Sequence, residues 1–221
     1  MATKTISIDL VDDRPAQRKA VKQMLAHIVP SAVIAEYGSY GDALRGVDHY
    51  VPELLIVEIA IREGNGMEFV RKLRLQHPAA RVLVYTDQDE QLYAERALRI
   101  GAHGYLMKPA DSGVFAEAVH TVLRGDLFVS PAIEELILRH IAGQAEDRSD
   151  DPEQVLSNRE LEIFVKIGMG LHSREIAEEL TLSVKTVETH RAHIKRKLQI
   201  HAAQELQQRA AEWVAQTQSV H

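Results

Sequence analysis

The chain has 221 residues, of which 45% are hydrophobic, and this length suits two domains with their own cores better than one. A formal net charge of -6 argues against a polypeptide that is basic throughout, although one basic surface remains compatible with it. The lack of cysteine excludes disulfides, thiol catalysis and cysteine-ligated zinc. No run of ~20 apolar residues and no signal sequence occurs, so we expect a soluble cytoplasmic protein that does not engage a membrane.

The first part of the chain, residues 1–125, alternates strand patterns with amphipathic helix patterns. Strands that alternate with such helices form a parallel sheet covered on both faces. Five units of this kind predict an α/β doubly wound fold, a five-stranded parallel sheet in flavodoxin-like order. The predicted strands are ISIDLV (6–11), AVIAEY (32–37), LLIVEI (54–59), RVLVYT (81–86) and GYLM (104–107).

Polar side chains stand at the ends of four of these strands. In open α/β sheets, functional sites lie beyond the carboxyl ends of the strands, so these residues are predicted to converge on one rim. Some have a structural alternative, since an aspartate ahead of Pro15 is able to cap the next helix and a lysine is often a solvated surface charge. The set is Asp12 and Asp13, Glu58, Thr86 and Lys108.

The segments that contain these residues resemble those of a known protein family. The segments LVDDRP, LLIVEI, VYT and GAHGYLMKP are similar to the receiver domain of bacterial two-component response regulators, over residues 4 to about 125. The resemblance implies that the acid pair, Asp12 and Asp13, binds a divalent cation such as Mg²⁺ and that the third-strand acid accepts a phosphoryl group. The threonine and the lysine would then hold the phosphoryl oxygens, which is reasonable chemistry for a hydroxyl and an ammonium. Tyr105 matches the aromatic residue whose rotamer follows Thr86 in the family's switch.

The sequence departs from the receiver pattern at the phosphoacceptor position, where Glu58 replaces the usual aspartate. Arg62 stands where the family usually has proline, and Asp87 follows Thr86 where a small residue is usual. Glu58 carries its carboxylate one methylene further toward Thr86 and Lys108, so it is interpreted as a partial mimic of the phosphorylated state. The alternative is a receiver retained only as a dimerisation or protein-interaction scaffold.

The sequence leaves open whether Mg²⁺ binds between Asp12, Asp13 and Glu58, because the longer glutamate side chain crowds that place or Lys108 fills it. No cofactor is expected to be required.

The middle of the chain is predicted to connect two domains. A helix begins after Ser130, with Pro131 at its first position, and runs to about residue 141. The polar, mostly acidic segment GQAEDRSDDPEQ (143–154) is typical of a flexible linker. The predicted divisions are a receiver domain at 1–125, a linker helix and acidic linker at 126–154, and a DNA-binding domain at 155–221.

Residues 155–221 show no strand pattern and predict a small all-α domain. A capping box, Ser157 with Glu160, begins one helix, and Ser173 is expected to cap the next. Ser183 then caps VKTVETHRAHIKRKL, which is basic along one face. Two helices joined by a short turn, the second basic and exposed, describe a helix-turn-helix.

This segment closely resembles the LuxR-type helix-turn-helix of NarL/FixJ response regulators. The resemblance implies that residues 184–198 form the recognition helix in the major groove of double-stranded DNA, and that part of the last helix, about 202–216, contributes a dimer contact. His190 and His193 suggest a metal, but no further ligand is expected nearby, so backbone contact or solvation is preferred. Phosphate contacts are expected from Lys185, Arg191, Lys195 and Arg196, base-edge contacts from Glu188, Thr189 and Ala192, and further DNA contacts from Thr186 and His190.

The sequence therefore predicts a DNA-binding transcriptional regulator of the response-regulator type, a homodimer whose receiver works without aspartyl phosphorylation. Whether a sensor kinase acts on it is left open. One competing class is a Mg²⁺-dependent phosphatase-like enzyme, against which the sequence offers no second group of residues to bind a substrate. Another is an interaction module whose helix-turn-helix no longer contacts DNA. We expect the chain not to be an enzyme.

Overall fold

The computed structural model describes residues 5–62, 64–142 and 152–218. The chain divides into two compact units, Met1–Ala142 and Gly143–His221, each of which has its own fold. Among the described residues, no helix combines the length and the apolar character that crossing a membrane requires.

The first unit contains a five-stranded parallel sheet in the order β2-β1-β3-β4-β5, which confirms the predicted fold. Its order reverses beside β1, where functional sites of such sheets lie. The strands are β1 (Ile6–Val11), β2 (Ala32–Tyr37), β3 (Leu54–Val57), β4 (Val82–Thr86) and β5 (Gly104–Met107).

Helices pack on this sheet with the apolar stripes that the sequence pattern predicts. Leu25 of the first helix and Phe115 and Val119 of the fifth are fully buried against the strands, within one hydrophobic core. Strand β3 is buried along its whole length, as expected for the centre of a sheet covered on both faces. The helices are α1 (Pro15–Ile28), α2 (Tyr40–His49), α3 (Gly66–Gln76), α4 (Glu90–Arg99) and α5 (Ser112–Arg124).

Strand β3 is shorter than predicted, since it ends at Val57 and the sequence pattern extended it to Ile59. The Glu58 N–H still donates to the Val11 carbonyl at 2.8 Å, but the Ala60 N–H donates to the Glu58 carboxylate instead of continuing the ladder. Glu58 therefore stands immediately beyond the strand, at the carboxyl edge of the sheet.

A sixth helix, α6 (Pro131–Ile141), belongs to the first unit and packs on α4. Ser130 caps it and also donates its hydroxyl to Glu90 at 2.8 Å, while Ile133 is buried. The helix is thus part of the first unit's packing, not a free connector. Of the predicted acidic linker, residues 143–151 lie outside the described residues, and the remainder begins a short helix, α7 (Pro152–Val155).

The second unit is all-α, as predicted, with helices packed around one hydrophobic core. Helices α8 (Asn158–Gly168) and α11 (Ala203–Gln218) approach closely at Gly168, where an added Cβ would lie 2.5 Å from the Ala210 carbonyl oxygen. Only a residue without a side chain permits this approach. The remaining helices are α8 (Asn158–Gly168), α9 (Ser173–Glu179), α10 (Val184–Lys197) and α11 (Ala203–Gln218).

The caps of this unit follow the sequence prediction at two of three positions. Ser157 and Glu160 form the capping box of α8, and the Ser183 side chain accepts from the Thr186 N–H at the start of α10. The predicted cap of α9 is wrong, because His172 occupies the N-cap and Ser173 is the first helical residue. The Ser173 hydroxyl donates instead to Glu188 of α10, which leaves it no role at the helix end.

Candidate functional site

The carboxyl ends of four parallel strands bring the predicted rim residues together. Asp12 follows β1, Glu58 follows β3, Thr86 ends β4 and Lys108 follows β5. The side chains of Asp12, Glu58 and Lys108 are 8%, 1% and 6% exposed, and Thr86 is fully buried. Ionised groups at this depth are stable only with partners, so the hydrogen bonds of the pocket determine its chemistry.

The Glu58 carboxylate accepts four hydrogen bonds, two at each oxygen. Its Oε1 atom accepts from the Ala60 N–H at 2.8 Å and from the Thr86 hydroxyl. Its Oε2 atom accepts from Lys108 Nζ and from the Arg14 guanidinium, each at 3.0 Å. Glu58 thus contacts Thr86 and Lys108, the two residues to which the receiver resemblance assigns phosphoryl binding. It also contacts a second cation, Arg14.

Asp12 shares both cations with Glu58. Lys108 Nζ donates to its Oδ2 atom at 2.8 Å, and the Arg14 backbone N–H donates to its Oδ1 atom at 2.8 Å. Burial raises the pKa of Asp12, but the hydrogen bonds from Lys108 and Arg14 outweigh burial, so the pKa is lowered from its usual value. Asp12 is therefore ionised at neutral pH.

Asp13 points toward the segment after β3, where its carboxylate accepts from the Arg62 N–H at 3.1 Å. The alternative that Asp13 caps α1 is wrong, since Arg14 stands at the N-cap. The alternative of a solvated Lys108 is also wrong, because this side chain is buried between two carboxylates.

Arg14 is a site residue that the sequence analysis missed. Its guanidinium lies 3.0 Å from Glu58 Oε2, 3.3 Å from Asp12 Oδ1 and 2.8 Å from Asp87 Oδ2. Burial lowers the pKa of Arg14, but hydrogen bonds to Asp87 and Asp12 outweigh it and raise the pKa. Asp87, which replaces the usual small residue after Thr86, is paired with this guanidinium. The sequence feature that could have revealed Arg14 is its position directly after the acid pair, in DDRP.

The pocket residues, as arranged, do not fit a Mg²⁺ ion. Such an ion needs near-octahedral oxygen ligands and is usually held through one or two carboxylates. Both oxygens of Asp12 and both oxygens of Glu58 already accept hydrogen bonds from protein groups, and Arg14 lies against both carboxylates. The guanidinium of Arg14 thus supplies the positive charge that a metal ion would otherwise provide to the two carboxylates.

The predicted switch pair adopts one defined arrangement. The Tyr105 side chain is turned inward and is 1% exposed, with its hydroxyl donating to the Gln88 carbonyl at 2.9 Å. The Thr86 hydroxyl points at Glu58. An inward tyrosine therefore accompanies a threonine engaged with the carboxylate.

In the second unit, α10 presents most of the predicted DNA-contacting residues on its outer side. The Thr189 hydroxyl donates to the Lys185 carbonyl at 2.9 Å and so satisfies itself within its own helix. Glu188 accepts from Ser173 of α9. Of the predicted set, Lys185, Glu188, Thr189, Ala192 and Arg196 are exposed, while Thr186, His190, Arg191 and Lys195 are partly buried.

His190 differs from the rest of that set, because its ring faces α8. Its Nδ1 atom is buried and has no hydrogen-bond partner among the described residues. Burial lowers the pKa of His190, and the charge of Arg159 acts in the same direction. The expectation that His190 and His193 have no third ligand nearby is wrong: Glu160 of α8 lies beside them, with one potential ligand atom from each residue within 4.8 Å of the others.

A receiver-type sheet with a strand-end acid pocket, followed by a helix-turn-helix unit, defines a response regulator. The family described as the response regulator receiver domain matches residues 8–120. The family of bacterial regulatory proteins of the luxR type matches residues 154–210. The chain therefore belongs to the response regulators and is a DNA-binding transcription regulator of the NarL/LuxR type.

Similar proteins agree with this assignment. The oxygen regulatory protein NreC of Staphylococcus carnosus is 32% identical over 205 residues, which cover 91% of this chain and 94% of NreC. The transcriptional regulatory protein DegU of Brevibacillus brevis is 29% identical over 209 residues, 89% of each chain. These relatives are regulatory proteins, and the expectation that the chain is not an enzyme is confirmed on that ground.

Solved structures share the fold. A LuxR-family two-component response regulator from Aurantimonas sp. SI85-9A1 is 28% identical with a TM-score of 0.57, covering 63% of this chain and 99% of that one. RcsB from Salmonella enterica serovar Typhimurium, solved bound to promoter rprA, gives a TM-score of 0.61 at 17% identity, over 94% of this chain and 99% of RcsB.

Proposed function

We propose that this regulator binds double-stranded DNA as a homodimer, and that its receiver reaches the DNA-competent state without aspartyl phosphorylation. The observation that carries the proposal is the position of the Glu58 carboxylate, which itself accepts hydrogen bonds from Thr86 and Lys108. In receivers these two residues are the ones expected to respond to a phosphoryl group.

The energetics favour a constitutive state. A hydrogen bond to a charged group contributes ~1.5–3 kcal/mol, which is comparable with the few kcal/mol that separate two conformations of a switch. Glu58 has one such bond from Lys108 and another from Arg14. A single carboxylate carries less charge than a phosphoryl group, so the imitation is partial and sets a resting bias, not full activation.

Arg14 extends the proposal to the metal. Its guanidinium bridges Asp12 and Glu58, and Lys108 bridges the same two carboxylates. Two protein cations neutralise the charge of two buried carboxylates, so the pocket needs no divalent ion for charge balance. We therefore infer a receiver that operates independently of Mg²⁺ and of a sensor kinase.

The DNA-binding half of the proposal rests on α10. This helix ends in three consecutive cations, Lys195, Arg196 and Lys197, within a chain that is acidic overall. Cations on one exposed helix suit phosphate contacts, and Thr189 and Ala192 offer methyl groups for base edges. RcsB, which has the same fold, has been solved as two dimers bound to DNA, and this supports a dimeric mode of binding.

The test of the receiver compares wild type with Glu58→Asp and Glu58→Gln in the full-length chain. Dimerisation is measured by sedimentation and DNA affinity by fluorescence anisotropy, first without and then with a small-molecule phosphodonor and Mg²⁺. Wild type should bind DNA without a phosphodonor, and Glu58→Gln should bind more weakly because it loses the charge that holds Lys108 and Arg14.

The same experiment has a second arm. Glu58→Asp should respond to phosphodonor and Mg²⁺ only when it is combined with Arg14→Ala, which empties the place of the cation. If wild type and both single variants bind alike, Glu58 is no mimic and the receiver is a scaffold.

The test of DNA recognition begins with selection of bound sequences from a random DNA pool, which yields the operator. On that operator, Lys195→Ala or Arg196→Ala should weaken binding and reduce the salt slope by about one unit per lost phosphate contact. The control is Arg45→Ala, which removes the same charge from an exposed position on α2. An interaction module would enrich no sequence.

A further inference from the structure

A cluster of three potential metal ligands lies in the second unit, apart from the receiver pocket. Glu160 comes from the first turn of α8, and His190 and His193 come from the middle of α10. Each residue offers one ligand atom, and these atoms lie within 4.8 Å of one another. In the sequence the two histidines follow the glutamate by 30 and 33 positions, and the packing of α8 against α10 brings them together.

The histidines are available as ligands. His190 Nδ1 is buried, and no described residue offers it a hydrogen bond. A buried ring nitrogen without a partner is unfavourable, since it has lost water and gained nothing. His193 Nδ1 lies 4.0 Å from Glu160 Oε1, a separation too long for a hydrogen bond between the two.

We propose that Glu160, His190 and His193 bind one divalent transition-metal ion of the zinc type. Two imidazoles with one carboxylate form a ligand set typical of zinc, whereas Mg²⁺ and Ca²⁺ prefer oxygen alone. Metal–ligand bonds of roughly 2.1 Å place tetrahedral ligand atoms roughly 3.4 Å apart, so the cluster must contract slightly. His193 is able to supply that movement because its side chain is 45% exposed. The fourth position is open to water.

Lys197 is the competitor of this metal. Its ammonium lies 2.6 Å from Glu160 Oε2, the oxygen that also accepts from the Ser157 N–H at 2.8 Å. The other carboxylate oxygen, Oε1, faces His193. The ion therefore binds through Oε1 while Lys197 remains on Oε2, and the nearby ammonium weakens the affinity by charge repulsion.

The consequence of binding is a link between two helices. The ion joins the start of α8 to the middle of α10, whose outer face carries the proposed DNA contacts, and stabilises the unit by mass action. Metal binding itself needs no DNA and no receiver activity. Its test is therefore independent of the proposed function.

The experiment titrates Zn²⁺ into the untagged full-length chain against a chromophoric chelator, and Co²⁺ into the same chain with visible absorption as the readout. Wild type is compared with His193→Asn, and the control is His201→Asn, which removes an exposed histidine from the same unit. We expect the affinity of the tightest site to fall by more than ~10-fold in His193→Asn, since even outer-shell partners contribute that much. The control should bind as wild type does.

A second variant tests the geometry. Lys197→Gln removes the competing ammonium, so it should tighten Zn²⁺ binding, and the emission of Trp213, the single tryptophan of the chain, reports that the unit is folded. Equal Zn²⁺ affinities in wild type and folded His193→Asn would overturn the proposal. So would a Co²⁺ spectrum without the intense bands of tetrahedral coordination, or a Lys197→Gln variant that binds no tighter.

Discussion

Among the described residues, each unit of the molecule buries one glutamate, and the two carboxylates have different partners. Glu58 is 2% exposed and Glu160 is 5% exposed. Glu58 faces two cations, a hydroxyl and a backbone N–H, whereas Glu160 faces one cation, the Ser157 backbone N–H and two histidines. An ionised carboxylate in the interior costs several kcal/mol unless it is paired. The Glu58 site is neutralised by the protein's own cations and is called the closed site below. The Glu160 site has two histidines on one side that are able to bind a metal.

The largest expected effect comes from breaking the closed site. Lys108→Met leaves Asp12 and Glu58 side by side, and loss of one partner from a buried pair costs ~3–5 kcal/mol. Urea unfolding followed by circular dichroism should show the first unit weakened by that amount. Trp213 fluorescence reports the second unit alone, so its transition should not move.

The matched control for this experiment is Lys22→Met, which removes an exposed lysine that pairs with Glu36. An exposed pair contributes ~0.2–1 kcal/mol, so this variant should lie close to wild type. Similar losses in the two variants would mean that burial of Lys108 carries no energetic weight.

A second, smaller effect sharpens the comparison within one strand. Asp9 lies on β1 three residues before Asp12, but its Oδ2 atom is buried and lacks a hydrogen-bond partner among the described residues. Burial raises the pKa of Asp9 to about 6, although a hydrogen bond from Tyr37 opposes the shift. A raised pKa in the folded state means that stability present at low pH is lost as pH rises through about 6.

Asp9→Asn should therefore stabilise the first unit at pH 8, and the advantage should shrink as pH falls from about 6 toward the ordinary aspartate range. A shift of about two pKa units corresponds to about 3 kcal/mol, which sets the upper limit of the gain. Urea unfolding at pH 4, 6 and 8 measures it. A gain that is the same at all three pH values would contradict the assignment.

The third effect concerns Glu160. Burial raises its pKa, but hydrogen bonds from Lys197 and Ser157 outweigh burial and lower it. A lowered pKa in the folded state gives stability that is present above the usual glutamate range and lost as pH falls below it. Glu160→Ala removes the capping box as well, so we expect a loss of ~2 kcal/mol at pH 7 that narrows in acid.

Trp213 fluorescence during urea unfolding measures this loss directly. Glu212→Ala, at an exposed position of α11, should change the same transition by less than ~0.5 kcal/mol. A Glu160→Ala loss that persists unchanged at pH 3 would show that the charge of Glu160 is irrelevant.

The sequence predicted much of the fold because its signals are local. Alternating strand and helix patterns gave the sheet, and the bounds of β1, β2 and β5 agree with the predicted strands. The end of β3 was predicted two residues too late, since apolar Ile59 continues the pattern after the ladder has ended. Where a strand stops depends on its neighbour, here β1, and a single-strand pattern does not contain that information.

The two missed site features have the same physical origin. Arg14 has a long side chain whose direction is decided by Asp12, Glu58 and Asp87, three carboxylates from different strand ends. Glu160 reaches the histidines of α10 only through helix packing. Periodicity predicts which residues lie at strand ends. The contacts of a long side chain, and the contacts between helices distant in sequence, depend on tertiary structure.

The smallest expected effect tests what holds Arg14 in the closed site. Its pair with Asp87 joins side chains that are 42% and 49% exposed, so solvent screens the attraction and the pair contributes ~0.2–1 kcal/mol. Asp87→Ala should therefore lower the stability of the first unit by no more than that, because Arg14 keeps Asp12 and Glu58. It should also leave the chain unable to bind Mg²⁺ in isothermal titration, whereas Arg14→Ala in the same experiment should gain binding because the guanidinium no longer lies against the carboxylates of Asp12 and Glu58. Mg²⁺ binding by Asp87→Ala alone would show that the exposed aspartate, not the buried carboxylates, keeps Arg14 in place.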